Sequence, residues 1–376
     1  MNNYGLYIHI PFCEKKCYYC DFASYVGKED LIDRYIDCLS VELRDKTRGK
    51  IFDTIFIGGG TPSMLSTDEL LKIKSSIDKI EFAKEYEFTI ESNPKSITRE
   101  KVKVLKDMGV NRVSLGLQSS NDSILLDIGR IHTFNDFKES FQMLKEEGIE
   151  NISVDIIYGL PNETFEIFKK TLKDVVSLKP NHISVYSLII EENTPFYYKE
   201  KKGELNLPDP DLEREMNSYL NMYLEKEGFL KYEISNYTKA NMESKHNIKY
   251  WKSENYEACG VSAHGYIDGV RTINLKGLKE YINSIETHGH GLESVHINTR
   301  EEEIEEYIFM GMRLIEGIDK NDFKKRFEAS IEDIFEKEIE KYIKESLLIS
   351  TDTHLRFTEK GLEFSNYVLK DFLLSV

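Results

Sequence analysis

No stretch of about 18 consecutive apolar residues occurs in the chain, so no membrane-spanning helix is expected. An excess of positive charge is missing as well. Lysine and arginine number 50 against 66 aspartates and glutamates, a net charge of −16. That balance argues against broad contact with a nucleic-acid backbone, which needs a basic face, although a local basic groove stays compatible with it. The opening "MNNYGLYIHI" has neither a basic n-region nor a cleavable apolar stretch. A cytoplasmic protein with reduced thiols is therefore expected. Cysteine is scarce, with five in 376 residues, and tryptophan occurs once, at Trp251. A disulfide framework is not expected from so few thiols. No internal repeat beyond a strand–helix rhythm and no low-complexity segment is present.

That rhythm organises the first half. Strands are expected at 5–10, 52–57, 86–91, 111–118, 151–159 and 182–189. Amphipathic helical stretches such as "LIDRYIDCLSVELRD" and "FNDFKESFQMLKEEG" separate them. Strands alternating with helices predict βαβ units and a parallel sheet. Six units suggest an α/β fold built as a partial (β/α)6 barrel, with a six-stranded doubly wound sheet as the competing reading. Parallel strands covered on both faces should be apolar throughout, yet these alternate. Glu87, Thr89 and Glu91 share one strand face, as do Ser114, Gly116 and Gln118, Ser153 and Asp155, and Tyr7 and His9. Turned inward, those faces line a polar lumen that holds a ligand; the alternative is an exposed sheet face.

Beyond about residue 200 the rhythm stops. "KKGELNLPDP" reads as a loop and "DLEREMNSYLNMYLEKEG" as a helix, followed by an irregular aromatic and glycine-rich region over about 230–275. The tail, about 300–376, reads as mostly helical, with "EEEIEE" on a solvated helix face and two short strand-like runs around a turn before a last helix. The expected division is a barrel over 1–200, an extension over 201–295 and a smaller, mainly helical, winged-helix-like C-terminal domain over 296–376.

Three of the five cysteines, Cys13, Cys17 and Cys20, lie within eight residues, directly after the first expected strand. Cys38, inside a helix, reads as a core thiol. Zinc usually takes four ligands, and no second cysteine or histidine pair completes a tetrahedron. Iron–sulfur clusters are held by thiolates, normally one per iron. Three thiolates on a 4Fe–4S cluster leave one iron open to a small chelating molecule. After the second strand, Gly58, Gly59 and Gly60 let a backbone approach a ligand closely. Glu91, Gln118, Arg130 and Asp155 lie in or just after later strands, where βα barrels bind ligands. Asp155, between Val154 and Ile156, needs a partner if buried.

The C-x-x-x-C-x-x-C spacing after an N-terminal βα strand resembles the radical S-adenosylmethionine (SAM) superfamily. The resemblance implies that the methionyl amino and carboxylate groups of SAM bind the open iron. It implies further that an electron from the cluster cleaves the sulfonium to a 5′-deoxyadenosyl radical. "YIHIPFCEKKCYYCDF", "GGGTPSML", "LGLQS", "GRIHT" and "DIIYGLP" are together similar to one branch, which holds oxygen-independent coproporphyrinogen III oxidase and the HemW family of heme chaperones. The likeness covers nearly the whole chain. It implies SAM contacts at Tyr7, Gly59, Gly60, Thr61, Glu91, Gln118, Arg130 and Asp155, with Tyr19 as a further candidate, and cluster ligation by Cys13, Cys17 and Cys20.

Two features favour the chaperone sibling. The oxidase usually carries a further cysteine two residues after the third ligand, where this chain has Phe22, and an N-terminal extension for which Cys13 leaves no room. "HNIKYW" places His246, Asn247, Tyr250 and Trp251 on the H-N-x-x-Y-W motif, which the resemblance ties to heme binding through His246. The following "EACGVSAHGYIDG" departs from the branch pattern at Ala258 and Gly265, which counts against a role for His264; Cys259 reads as a buried structural thiol, with a heme thiolate or vinyl partner as the alternative. The expected function is therefore heme binding and delivery to an apo-hemoprotein, with a respiratory enzyme at the membrane as one acceptor. Peripheral membrane attachment and a dimer are compatible with that reading. The alternatives are coproporphyrinogen oxidation, radical modification of heme, and transfer-RNA modification, the last disfavoured by the acidic balance.

Overall fold

In the computed structural model, which describes residues 3–374, β1 (Tyr4–Ile10) sends Leu6, Ile8 and Ile10 to one side, all fully buried, and Tyr7 and His9 to the other. Residues 1–2 and 375–376 of the expected division lie outside the described residues. The same alternation runs through β2 (Ile51–Gly59), β3 (Glu81–Ser92), β4 (Arg112–Gln118), β5 (Asn151–Tyr158) and β6 (His182–Ser187). Their apolar faces, among them Ile57, Ile90, Leu115 and Val154, form one core with the helices that follow each strand. Those helices are α1 (Ile32–Lys46), α2 (Thr67–Ile77), α3 (Arg99–Asp107), α5 (Phe134–Glu146) and α6 (Phe165–Ser177), while α4 (Asp122–Asp127), just before α5, packs in a smaller cluster of its own.

The six strands are parallel and lie in sequence order, 1-2-3-4-5-6. A doubly wound sheet reverses order at a switch point, and none exists here, so the barrel reading holds. β6 does not pair with β1, and the barrel is therefore open on that side.

The expectation of an irregular stretch over 230–275 is corrected. After α7 (Pro195–Lys201) and α8 (Pro210–Lys226), the chain adds β7 (Leu230–Lys231) and β8 (Asn236–Thr238) to the outer edge of β6. It then passes through α9 (Lys245–Trp251) and lays β9 (Tyr256–Cys259) parallel to β1. β10 (His264–Ile267), β11 (Val270–Asn274) and, past α10 (Leu278–His288), β12 (Leu292–Ile297) continue the sheet antiparallel to a total of twelve strands. Strands of two to six residues are too short to show a period, and pairing with a preformed edge selects them.

The C-terminal part has its own core, including Ile308, Phe323, Ile331, Tyr342 and Leu355. It comprises α11 (Arg300–Gly311), α12 (Lys320–Phe327), α13 (Ile331–Lys344) and a three-stranded antiparallel sheet of β13 (Ile318–Asp319), β14 (Leu348–Ser350) and β15 (His354–Phe357). The β14–β15 hairpin before a short helix is the wing-like element. Among the described residues no helix is long and apolar enough to cross a membrane.

One buried carboxylate ties α1 to the added strands. Glu42 accepts from Gly260 N at 2.8 Å, Asn274 Nδ2 at 2.7 Å and Tyr281 Oη at 2.6 Å, and pairs with Lys46 at 2.8 Å. Removing one partner of a buried ion pair strands the other charge and the donors around it. Glu42→Ala should cost about 3 kcal/mol, read as a lowered urea midpoint. Glu286→Ala, which breaks the exposed pair with Arg34, should cost less than about 1 kcal/mol.

Candidate functional site

The polar strand faces converge at the C-terminal ends of β1–β6 on an open chamber of about 510 Å³. That size suits a small-molecule site. Cys13, Cys17, Cys20, Tyr19, Gly59, Gly60, Thr61, Glu91, Gln118, Arg130 and Asp155 all line it. Tyr7 lines a second cavity of about 250 Å³ that shares Gly59, Glu91 and Asp155 with the chamber. The structure thus gathers every residue expected at the site except His246.

The cysteines ride on the loop after β1. His9 Nε2 binds Ala23 O at 2.8 Å, and Cys13 N donates to Tyr25 O at 3.0 Å, which folds the loop back over the strand end. Burial pushes the Cys13 thiol up and the Cys20 thiol up to about 11, so metal ligation there would release protons. Cys13 Sγ lies 3.4 Å from Thr61 Oγ1, and Arg130 Nη1 donates to Cys17 Sγ at 3.6 Å. Among the described residues no three His, Cys, Asp or Glu side chains are arranged to hold one ion. A cluster does not require that arrangement, because each thiolate holds a different iron. Donor set, chamber and a neighbouring guanidinium fit a cluster.

The rest of the chamber fits a polar ligand. Gly59 has φ +111°, and a Cβ there would stand 2.4 Å from the His9 ring, so only glycine keeps the β2 end this close to β1. Gln118 adopts φ +73°, a left-handed conformation uncommon for a side-chain-bearing residue, and it turns the end of β4 at the chamber wall. Arg130 Nη2 is held by Asn93 Oδ1 at 2.7 Å and Gly116 O at 2.6 Å, while its buried Nε has no partner. Ser92 Oγ is also buried without one. Such orphaned groups at a cavity wall are what a bound ligand satisfies. Ser114 Oγ lies 3.0 and 2.9 Å from the two Asp155 oxygens; burial pushes this carboxyl up and the Ser114 bonds pull it back.

Sequence reasoning missed Asn93, which joins Arg130 to Thr61 through Nδ2–Oγ1 at 3.0 Å. It also missed the apolar lip of the mouth. Phe22, Tyr186 and Ile189 are 64, 42 and 67% exposed there. Asn93, in the turn before Pro94, carried a usable signal; Ile189 carried none.

His246 lies apart from the residues gathered in the chamber. His246 is fully buried in α9 and lines neither cavity. Its Nδ1 lies 2.9 Å from Thr54 Oγ1 and its Nε2 2.7 Å from Tyr250 Oη, so both ring nitrogens are taken. The ring stacks on Phe56 at 5.4 Å, and burial pushes it down to about 3, leaving it neutral. Glu87 accepts from Lys245 N and His246 N, both at 3.1 Å, which anchors the start of α9 on the lumen face of β3. The motif is a floor under the barrel. Cys259 is likewise fully buried in the core, and His264 is exposed.

Glu91 carries the clearest electrostatic signature. It accepts from Gly59 N at 3.0 Å, and burial pushes it up to about 7. A carboxyl whose folded pKa is raised binds its proton more tightly folded than unfolded. Its contribution to stability therefore falls as pH rises from about 4.5 to about 7, and the full cost, of order 3 kcal/mol, is present above that. Without ligand, Glu91→Gln should melt higher than wild type at about pH 8 and equally near pH 4.5. A difference that does not change with pH would remove Glu91 as the titrating group.

Comparison with known proteins agrees with this geometry. The family model described as the radical SAM superfamily matches residues 7–175, and that of the HemN C-terminal domain matches 298–364. The chain is 40% identical to the heme chaperone HemW of Bacillus subtilis, with 98% of each chain covered. It is 30% identical to the heme chaperone HemW of Escherichia coli, again over 98% of each. The solved coproporphyrinogen III oxidase HemN of Escherichia coli, a radical SAM enzyme, superposes with a TM-score of 0.87 at 22% identity, covering 100% of this chain and 91% of that one. At that identity the likeness concerns the fold. A six-stranded barrel with three thiols above β1, a polar lumen and this full-length identity place the chain in the HemW family of the radical SAM superfamily.

Proposed function

We propose that this protein is a heme chaperone that binds heme and delivers it to an apo-hemoprotein, and that it does so with a 4Fe–4S cluster and SAM in the barrel chamber. The observation that carries the reading is the 40% identity to a heme chaperone along 98% of both chains. The apolar lip of Phe22, Tyr186 and Ile189 supports it. A flat apolar macrocycle covers such surface, and Lys15 and Lys16 at the same mouth suit its carboxylates. An acceptor at the membrane and a dimeric assembly are compatible with this reading. So is a division of labour among a barrel over 1–200, an extension over 201–295 and a C-terminal domain over 296–376.

In this reading Cys13, Cys17 and Cys20 each hold one iron, and the fourth iron is left to the amino and carboxylate groups of SAM. When bound, the cluster supplies an electron to the sulfonium. The protein's own residues do the rest. Arg130, fixed by Asn93 and Gly116, offsets thiolate charge at Cys17. The Gly59–Thr61 backbone and the carboxyl of Glu91 would hold the methionyl end, with Tyr19 and Tyr7 beside it. Gln118 and the Ser114-fixed carboxylate of Asp155 offer partners to the nucleoside. His246 pins α9 beneath them through Thr54 and Tyr250.

The reading is tested by anaerobic reconstitution. Wild type should show iron–sulfur absorbance that Cys17→Ala loses, bind about one heme per chain, and pass it to apomyoglobin. With reductant, SAM and coproporphyrinogen III it should form no protoporphyrinogen. Formation of that product would make it an oxidase, and failure to bind heme would end the chaperone reading.

A further inference from the structure

Arg112, the first residue of β4, faces the lumen and is only 2% exposed. Its guanidinium makes no hydrogen bond or ion pair with any described residue, and its Nε is fully enclosed without a partner. A buried charge with five N–H donors is costly unless something accepts from it. The nearby carboxylates do not. Asp155 takes the Ser114 hydroxyl, Glu87 takes the first N–H groups of α9, and Glu91 takes Gly59 N. None of them bonds the guanidinium, although Asp155 feels its charge.

Arg112 lines the cavity of about 250 Å³ beneath the chamber, together with Ser184, Asn247 and Tyr250. Asn247 projects from α9, and its side-chain amide also has no partner among the described residues. The cavity shares Phe22, Glu91 and Tyr186 with the chamber above, so the two adjoin. A planar guanidinium fork beside a free amide is a recognition set for a carboxylate.

We propose that this cavity is a carboxylate subsite, in which Arg112 takes the carboxylate through its fork and Asn247 donates a further hydrogen bond. Resting on the heme reading, the carboxylate is a propionate of the heme, passed in beyond Phe22 and Tyr186; a free small carboxylate has the same chemistry. The subsite also gives the H-N-x-x-Y-W helix a part in binding. His246 fixes α9 so that Asn247 faces the lumen.

The test titrates heme and heme dimethyl ester into wild type, Arg112→Gln, Arg112→Lys and Asn247→Asp, with circular dichroism as the check on folding. Wild type should bind heme at least about tenfold more tightly than the ester. Arg112→Gln should lose that preference. Arg112→Lys should keep part of it. Asn247→Asp, which sets a carboxylate beside Arg112 to compete for its fork, should also weaken heme binding.

A second arm melts each protein in sodium propionate against sodium chloride at equal ionic strength. Propionate should raise the wild-type midpoint and leave that of Arg112→Gln unmoved. Protection by propionate with heme binding indifferent to Arg112 would keep the subsite and assign it to a free carboxylate. Wild type that binds no heme yet is protected by propionate through Arg112 would overturn the chaperone reading and leave the subsite standing. If neither heme nor propionate depends on Arg112, the subsite is overturned.

Discussion

A two-residue period underlies the whole barrel. Burying Leu6, Ile8 and Ile10 against helices commits Tyr7 and His9 to the opposite face, and each of the other five strands repeats that commitment. A polar face cannot be left inside a protein without partners. Three things complete the lumen: hydrogen bonds between neighbouring strands such as Ser114–Asp155, a helix that closes the floor, and space that a ligand must fill.

The floor shows that the residues of a motif have partners which the motif alone does not announce. Histidine among aromatics suggests a ligand for heme iron. In the fold, Thr54 and Tyr250 occupy both nitrogens, and Phe56 covers the ring. Glu87, on β3, anchors the first N–H groups of α9. Asn247 and Tyr250 face the lumen on one side of this helix, while Trp251 lies under Arg313 of the C-terminal part at 5.3 Å. The motif therefore sits between the barrel and the module behind it.

The chamber is held at a cost. Glu91 is kept near neutrality by burial, Gln118 sits in a left-handed turn, and Arg112, Arg130 and Ser92 each leave a buried polar atom unpaired. Glu91, Gln118, Arg130 and Ser92 lie around the chamber and Arg112 at the foot of β4 beneath it, and groups left unsatisfied at a cavity wall are ones a ligand can complete.

Sequence alone determined the six βα units, their polar faces and the cysteine spacing, because each is a local or periodic pattern. Eleven residues expected around the ligand do line one chamber, and a twelfth, Tyr7, lies just beneath it. Tertiary structure decided the remainder. β7–β12 exist because β6 and β1 offer open edges, which strands of two to six residues cannot announce. The Thr54 bond of His246 and the isolation of Arg112 depend on a contact across more than a hundred residues for the one and on empty space for the other. Neither a distant contact nor a cavity has a period, so neither can be read along the chain.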